Sequence, residues 1–382
     1  MHVVIAPDSF KGSLPAHEVA EALASGFADE WPEAEVTTLP LSDGGDGFVD
    51  ALVRARRGEI HSHTVTGPLG EPVDARFGYL PSDATAVVEM AQASGLHLLP
   101  PASRDPLRAT SRGTGELMVA ALDEGARSIL VGIGGSATND GGAGMATALG
   151  ARLLDTSGED VRPGGAALID LARVDTEGLD PRLSEVEVLV ASDVDNPLLG
   201  PRGASAVYGP QKGASPRDVT LLDGALARYA DVIEDAFGTD LREEPGAGAA
   251  GGLGFGLMAF CGARLVSGID LVLDTVGADD LFARADLIVT GEGRVDDQTL
   301  SGKVPHGVAR RARAVGAPVI VVGGRVELDD DMLELFRAEG IAGVVSTMDA
   351  FTDETVALDP EATVRRLVRT GRELAERLAA GA

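Results

Sequence analysis

The stretch ILVGIGGSATNDGGAGMATAL, from Ile129 to Leu149, decides how the rest of the chain is read. Ile129, Leu130, Val131 and Ile133 form an apolar, mostly β-branched run that reads as a buried strand. The run breaks into Gly134, Gly135, Ser136, Ala137, Thr138, Asn139, Asp140, Gly141 and Gly142. A small-residue helical pattern follows through Met145, Ala146 and Leu149. Strand, glycine loop and helix start is the order in which bare backbone N–H groups and a helix dipole can face an anion. A tight turn that needs only positive φ uses one or two glycines. Here glycines crowd beside Ser136, Thr138, Asn139 and Asp140, a composition suited to cradling an anion or a sugar acid. The loop is neither GxxxxGK[ST] nor a clean GxGxxG, so the common nucleotide fingerprints do not fit it.

Similar units lie at both ends of the chain. His2 to Ala6 reads as a short strand closed by Pro7, Asp8 and Ser9, with Ser13 as N-cap and Pro15 in the first helical turn. Ala16, Val19, Ala20, Leu23 and Phe27 recur at helical spacing, and Trp31 beside Pro32 plugs that helix end. Val36 to Leu41 is a second strand, breaking into SDGGDG (Ser42–Gly47). Leu287 to Thr290 is a third, followed by Gly291, Glu292, Gly293, Arg294, Val295 and Asp296. Val319–Val322 and Gly340–Ser346 add two more, alternating with helical patterns at Val308–Ala314, Met332–Ala338 and Val364–Leu378. Five such β/α units predict an α/β fold, a doubly wound parallel sheet with helices on both faces. Polar loops after its strands fall at the carboxyl edge, where such sheets bind ligands.

From about Gly67 to Thr275 the pattern is irregular. Strand candidates at Val73–Tyr79, Ala86–Glu89, Ile129–Ile133, Val186–Ala191 and Ala204–Val207 are separated by Gly/Pro-rich breaks. The run GAGAAGGLGFG (Gly246–Gly256) is too glycine-rich for a helix; flanking Leu253, Phe255 and Leu257 favour a buried glycine-lined wall over a linker. The expected division is one discontinuous domain of residues 1–66 plus 276–382, with 67–275 inserted as an α+β domain.

Composition narrows the functional classes. At 382 residues the chain has room for two ordinary cores. No apolar run approaches about 18 residues, so no membrane span is indicated. The start, MHVVIAPDSFKGS, lacks a basic segment followed by an apolar one, which points to a cytoplasmic protein. Cys261 is the only cysteine, lies in an apolar run, and reads as core. A net charge of −28 argues against nucleic acid and anionic membranes as partners, and makes any anion site depend on local cations and backbone donors. Only three of the 32 basic side chains are lysine: Lys11, Lys212 and Lys303. All three sit in glycine/serine-rich turns (DSFKGS, GPQKGAS, SGKVP), where a compact ammonium suits phosphate or carboxylate. His61, His63 and His97 lack ligand-like neighbours; His306, beside SGKVP, is the one histidine to test.

With the loops placed, the chain resembles the glycerate kinase family, in its bacterial type-1 branch linked to glyoxylate and glycerate use. The matching segments are IAPDSFKGSL (Ile5–Leu14), SDGGDG (Ser42–Gly47), TGPLG (Thr66–Gly70), EMAQASGL (Glu89–Leu96) and RDPLRATSRGTGEL (Arg104–Leu117). GIGGSATNDGGAGM (Gly132–Met145), SDVDNPLLG (Ser192–Gly200), GPQKGAS (Gly209–Ser215), PGAGAAGGLG (Pro245–Gly254) and TGEGRVDDQTLSGKVPHGVA (Thr290–Ala309) continue the match almost end to end. The family's ADGGEGT stands here as SDGGDGF, which bears on Asp46, and GGRVELDD after Val322 is less typical. The resemblance implies a flavodoxin-like domain with an inserted second domain. It also implies ATP-dependent phosphorylation of D-glycerate with Mg²⁺, 2-phosphoglycerate being the favoured product and 3-phosphoglycerate the other. A kinase for another small hydroxy acid, and a non-catalytic nucleotide- or sugar-acid-binding protein, are the alternatives; a homodimer is compatible with either.

A phosphoryl transfer needs charge neutralisation, hard oxygen ligands for Mg²⁺ and an oriented acceptor hydroxyl. On that basis Asp193, Lys11 and Lys212 are the catalytic candidates, Asp193 as general base or hydroxyl-positioning group, favoured over Asp195 because it comes first after the strand. Gly291, Glu292, Gly293, Ser301, Gly302 and Lys303 suit the nucleotide. Asp8, Ser9, Arg104, Arg112, Gly134, Gly135, Ser136, Asn139 and Asp140 suit the substrate, with one of the two arginines bidentate on the carboxylate and a surface ion pair as the alternative for them. Asp43, Asp46, Glu292 and Asp296 are the Mg²⁺ candidates; an Asx-turn role is the alternative for the first two.

Overall fold

The strands of the computed structural model, which describes residues 1–348 and 358–381, are mostly short apolar runs bounded by glycine, proline or aspartate, with polar exceptions such as Glu59–Thr66. In chain order they are β1 (His2–Ile5), β2 (Glu35–Thr38), β3 (Glu59–Thr66), β4 (Pro72–Leu80), β5 (Thr85–Glu89), β6 (Ser128–Gly132) and β7 (Arg152–Leu154). Then come β8 (Arg173–Asp175), β9 (Glu187–Ala191), β10 (Arg264–Val266), β11 (Leu287–Val295), β12 (Val319–Val326) and β13 (Ile341–Ser346).

One unit comprises Met1–Asp43, Asp50–Arg56 and the chain from Ser267 onward. Its five strands are all parallel, in the order β13-β12-β11-β1-β2. Counted by their own appearance in the chain, this is 2-1-3-4-5, the flavodoxin order. Val3, Val4 and Ile5 are all fully buried. Consecutive strand residues face opposite sides, so the sheet is covered on both faces, as parallel sheets require. Helix Ala16–Glu30 buries Val19, Leu23 and Phe27 against the sheet and against helix Pro360–Gly381, which contributes Leu367, Leu374 and Ala375. The two helices approach closely at glycines. A Cβ on Gly26 would stand 2.1 Å from the Val368 carbonyl oxygen, and one on Gly371 2.4 Å from that of Leu23.

The other unit comprises Gly44–Val49 and Arg57–Val266. Its sheet runs β10-β9-β6-β5-β4-β3, with parallel pairing from β10 through β5 and antiparallel pairing of β5 with β4 and of β4 with β3. A small antiparallel pair, β7 with β8, lies outside it. Phe77, Val88, Leu117, Ile129, Val131, Met145, Leu226, Tyr229 and Phe255 belong to one continuous core.

Four local expectations change. Ala204–Val207 is the start of helix Ala204–Tyr208, not a strand. Four small residues, ASAV, cannot distinguish the two by periodicity, and only Val207 among them is β-branched. The glycine-rich run does enter a helix, Ala249–Cys261, after left-handed residues at Ala250, Gly251 and Gly252 (φ 52°, 70° and 86°). Its glycines allow backbone-to-backbone packing: a Cβ on Gly251 would meet the Thr138 carbonyl oxygen at 2.0 Å, and one on Gly256 that of Gly141 at 2.5 Å. Residues Gly291 to Val295 continue β11 instead of leaving it, because Glu292 and Arg294 pair with Gly323 and Arg325 of β12. Finally, the N-cap of the first helix is Pro15, while the Ser13 hydroxyl donates to Thr363 Oγ1 at 2.8 Å.

Because the Gly26 and Gly371 contacts are backbone against backbone, the expected outcome of Gly26→Ala or Gly371→Ala is a loss of about 1–3 kcal/mol each in urea unfolding. Unchanged midpoints would show that these helices can separate without cost.

Candidate functional site

In a 2-1-3-4-5 sheet the strand order reverses between the first and third strands, here β1 and β11, and the loops leaving their carboxyl ends diverge. The pairing of these strands continues past β1: Ala6 N donates to the Val289 carbonyl at 2.7 Å and Asp8 N to that of Gly291 at 2.8 Å. A cavity of about 690 Å³ opens there, lined by Asp8, Ser9, Lys11, Asp43, Glu292, Gly293, Asp296 and Lys303 among others. Two of the three lysines therefore line one cavity, although 292 positions separate them in the chain. Lys303 caps helix Val304–Val315 with its backbone and holds its ammonium 3.0 Å from Glu292 Oε2 and 3.7 Å from Asp296 Oδ1. An ammonium carries three donors, so a phosphate oxygen can join these partners. Ser301 and Gly302, the latter at φ 88°, form the turn that delivers Lys303. Gly293 keeps its strand close to the first loop: a Cβ there would stand 3.3 Å from Lys11 N and Phe10 Cα.

The electrostatics of this cavity are tense. Asp8 is 5% exposed, and burial, reinforced by the Asp43 carboxylate, pushes its pKa up to about 7. Glu292 is also raised by burial, against the pull of Lys303. Asp296 caps the short turn Asp297–Leu300 by accepting from Gln298 N. Among the described residues no three His, Cys, Asp or Glu side chains cluster tightly enough to hold a metal by themselves. Mg²⁺ characteristically takes one or two carboxylates and completes its octahedron with phosphate oxygens and water, and the all-oxygen donor set here fits that mode.

The other unit carries the Gly134–Asp140 loop. Gly134 packs on SDGGDG: a Cβ there would meet Gly45 Cα at 2.7 Å, and Gly134 N donates to the Gly44 carbonyl. Asp46 Oδ1 lies 3.8 Å from the position of a Cβ on Gly135. Asp43, in the same hexapeptide, belongs to the first unit, so the hexapeptide passes from one unit to the other. Lys212 is 1% exposed, and its ammonium donates to Ser136 Oγ at 2.7 Å and to the Thr138 carbonyl at 2.6 Å. Desolvation pushes its pKa down to about 7. Asn139 Nδ2 donates to Ser205 Oγ at 2.9 Å, while Asn139 Oδ1 and Thr138 Oγ1 are buried without a hydrogen-bond partner. Asp140 is saturated from within: it accepts from Ser111 N and Oγ, Gly142 N and Gly144 N at 2.8–3.2 Å. It ties the loop to the helix Arg112–Asp123 and to the helix Ala143–Ala148.

The remaining candidates scatter. Arg104 Nη1 donates to the Gln211 carbonyl, so this side chain braces the turn that carries Lys212. Arg112 instead pairs with Glu116 at 2.9 Å and lines a different cavity, to which Gly134, Gly135, Ser136 and Asn139 contribute nothing. Asp193 follows β9 and is exposed. Cys261 is buried, with its thiol pushed up to about 12, in keeping with a core role. His306 sits 3.8 Å from Glu339. Arg366, Thr347 and Arg325 also line the first cavity, and no motif in the sequence marks them. Arg366 lies on a helix whose only legible signal is amphipathic spacing, which marks a packing face and not a ligand.

The unfolded chain holds the Lys212 proton up to about pH 10.4, whereas the folded protein releases it near pH 7. Over that window the unfolded state binds more protons, so stability rises with pH. Relative to Lys212→Met, the unsubstituted chain is expected to gain roughly 2–3 kcal/mol between about pH 6.5 and pH 9.5 in urea unfolding. Parallel pH profiles for the two proteins would refute a desolvated ammonium.

Comparison with known proteins gives this geometry its context. The sequence profile of the glycerate kinase family matches residues 3–379. A glycerate kinase of Bacillus subtilis (strain 168) is 50% identical over 379 residues, covering 98% of this chain and 97% of its own length. The glycerate 2-kinase of Escherichia coli (strain K12) is 47% identical over 381 residues, covering 100% and 99%. A crystal structure assigned to glycerate kinase 2 of Salmonella typhimurium LT2 superposes with a TM-score of 0.88 at 49% identity, over 100% of this chain and 99% of that one. The chain belongs to the glycerate kinase family and is a phosphotransferase of that family.

Proposed function

We propose that this chain moves the γ-phosphoryl group of ATP to the 2-hydroxyl of D-glycerate, giving 2-phosphoglycerate and ADP. The observation that carries the proposal is the cavity at the β1/β11 reversal, whose lining includes Lys11 and Lys303 together with Asp8, Asp43, Glu292 and Asp296. Cations suited to phosphate and oxygen ligands suited to Mg²⁺ are what a triphosphate requires, and little else recruits both. The glycerate 2-kinase name of the Escherichia coli relative supports the 2-hydroxyl as acceptor. A cytoplasmic location belongs to the same reading, because the reaction it describes draws on ATP.

In this reading Lys11 and Lys303 hold phosphate oxygens, with Gly291 and Gly293 keeping the strand low enough for the chain to approach. Asp43, Glu292 and Asp296 would hold Mg²⁺ with the phosphates, and Asp46 is the further candidate from the SDGGDG turn. The metal supplies charge neutralisation on the transferring group. Gly134, Gly135, Ser136 and Asn139 offer donors and acceptors to the glycerate anion, and Arg104 lies beside their lysine brace. Lys212 and Asp140 act on that loop by fixing its shape: the buried ammonium gives two of its three donors to Ser136 and Thr138, and the Asp140 carboxylate accepts from Ser111, Gly142 and Gly144. The acceptor oxygen forms a bond to phosphorus as the bond to the ADP oxygen breaks, and Asp193 takes the hydroxyl proton.

Phosphorus NMR of the product is the direct test: a single 2-phosphoglycerate resonance is expected, and 3-phosphoglycerate would overturn the regiochemistry. Lys11 is exposed, so Lys11→Met is expected to fold normally yet lower kcat by about 10²-fold or more. Unaltered kcat and KM for ATP would remove the phosphate assignment. Turnover of another hydroxy acid but not of glycerate would replace the substrate.

A further inference from the structure

The unit Gly44–Val49 plus Arg57–Val266 holds a second cavity, of about 400 Å³, whose lining excludes Lys212 and every residue of the Gly134–Asp140 loop. That volume falls within the range of small-molecule sites, which pair an apolar lining with a few placed polar groups. The lining here has that character. Ala151, Leu153, Val161 and Leu168 supply apolar surface, and Arg112, Arg152 and Arg162 supply charge against a single carboxylate, Asp160. Glu116 pairs with Arg112 from outside the lining and Asp160 pairs with Arg152 within it, which leaves Arg162 as the guanidinium without a paired carboxylate among the described residues, in a chain with 60 acidic and 32 basic side chains.

The three arginines are not equally engaged. Arg152 spends Nε and Nη2 on Asp160 at 3.1 and 3.0 Å. Arg112 spends Nε on Glu116 at 2.9 Å and reaches Thr147 Oγ1 with Nη1 at 3.4 Å. Arg162 is exposed and makes no hydrogen bond or ion pair among the described residues. A guanidinium offers five N–H donors in a planar fork matched to carboxylate and phosphate, so donors remain on this rim. We propose that this cavity is a second small-molecule site, selective for an organic anion that joins a carboxylate or phosphate group to an apolar body. It has a short route to the glycine loop: Gly144, on its wall, donates its N–H to Asp140 Oδ2 at 3.1 Å.

Calorimetric titration of the full chain with phenyl phosphate, benzoate and neutral benzyl alcohol tests the proposal. Each titration is repeated with glycerate and a non-hydrolysable ATP analogue at saturation. At least one of the two anions is expected to bind, about tenfold or more tighter than the alcohol, and to keep binding when both substrates are present. The tighter anion identifies the ligand as carboxylate or phosphate. Arg162→Glu, and Arg152→Ala with Arg162→Ala, should each weaken binding about tenfold or more while leaving phosphoryl-transfer turnover within about twofold. Absence of binding up to about 10 mM, equal binding of the alcohol, displacement by the substrates, or full affinity in both variants would overturn it.

Discussion

The parallel pairing of β1 with β11 is the constraint on which the rest of the first unit depends. These strands lie more than 280 positions apart, with Val3 opposite Leu287 and Ile5 opposite Val289. Their union makes one sheet out of the two ends of the chain, and it places the reversal of strand order at their junction. Backbone bonds carry the pairing beyond β1, through Ala6 and Asp8, and the Thr290 hydroxyl donates to the Ala6 carbonyl at 2.7 Å. As a result the first loop, with Asp8 and Lys11, and the far end of β11, with Glu292, are held at fixed separation. A parallel sheet supplies this without further machinery, because every strand releases its loop at the same edge.

The chain handles anions against a strongly negative background, and its solution is local. Lysine is used sparingly. Two lysines line the first cavity beside carboxylates, and the third is withdrawn from solvent to fix the shape of a glycine loop. Burial sets the character of Lys212 and Asp8: desolvation penalises the charged form, which pulls the lysine down and the aspartate up towards neutrality. Glycine does the remaining positioning. Gly134 lies on Gly45, and Gly251 and Gly256 lie on Thr138 and Gly141, at separations that no side chain would permit.

Much of this architecture is legible along the chain. The alternation of apolar runs with helical spacing at both ends leads to the five parallel strands, and the polar segments after them contain Asp8, Lys11, Asp43 and Asp296, which the cavity brings together. Long-range pairing is what local pattern misses. Gly291 to Val295 looks like a loop because two glycines interrupt it, yet β12 offers partners for its backbone. Ala204 to Val207 looks like a strand because four residues carry no period. Arg104 and Arg112 share one motif but separate in space, one bracing the Lys212 turn and the other turned onto Glu116.

The amino-acid sequence by itself determined the alternating β/α character, the places where glycine and aspartate interrupt it, the scarcity of lysine and the family likeness. These are properties of neighbours along the chain, written in spacing and composition. Tertiary structure alone decided that Lys11 and Lys303 face one cavity while Lys212 is buried under Ser136 and Thr138. It also decided that Arg366, on the last helix, lines the same cavity as Asp8. The reason is physical: burial and charge environment are set by which distant segments pack together, and one residue type in three similar turns acquires different surroundings.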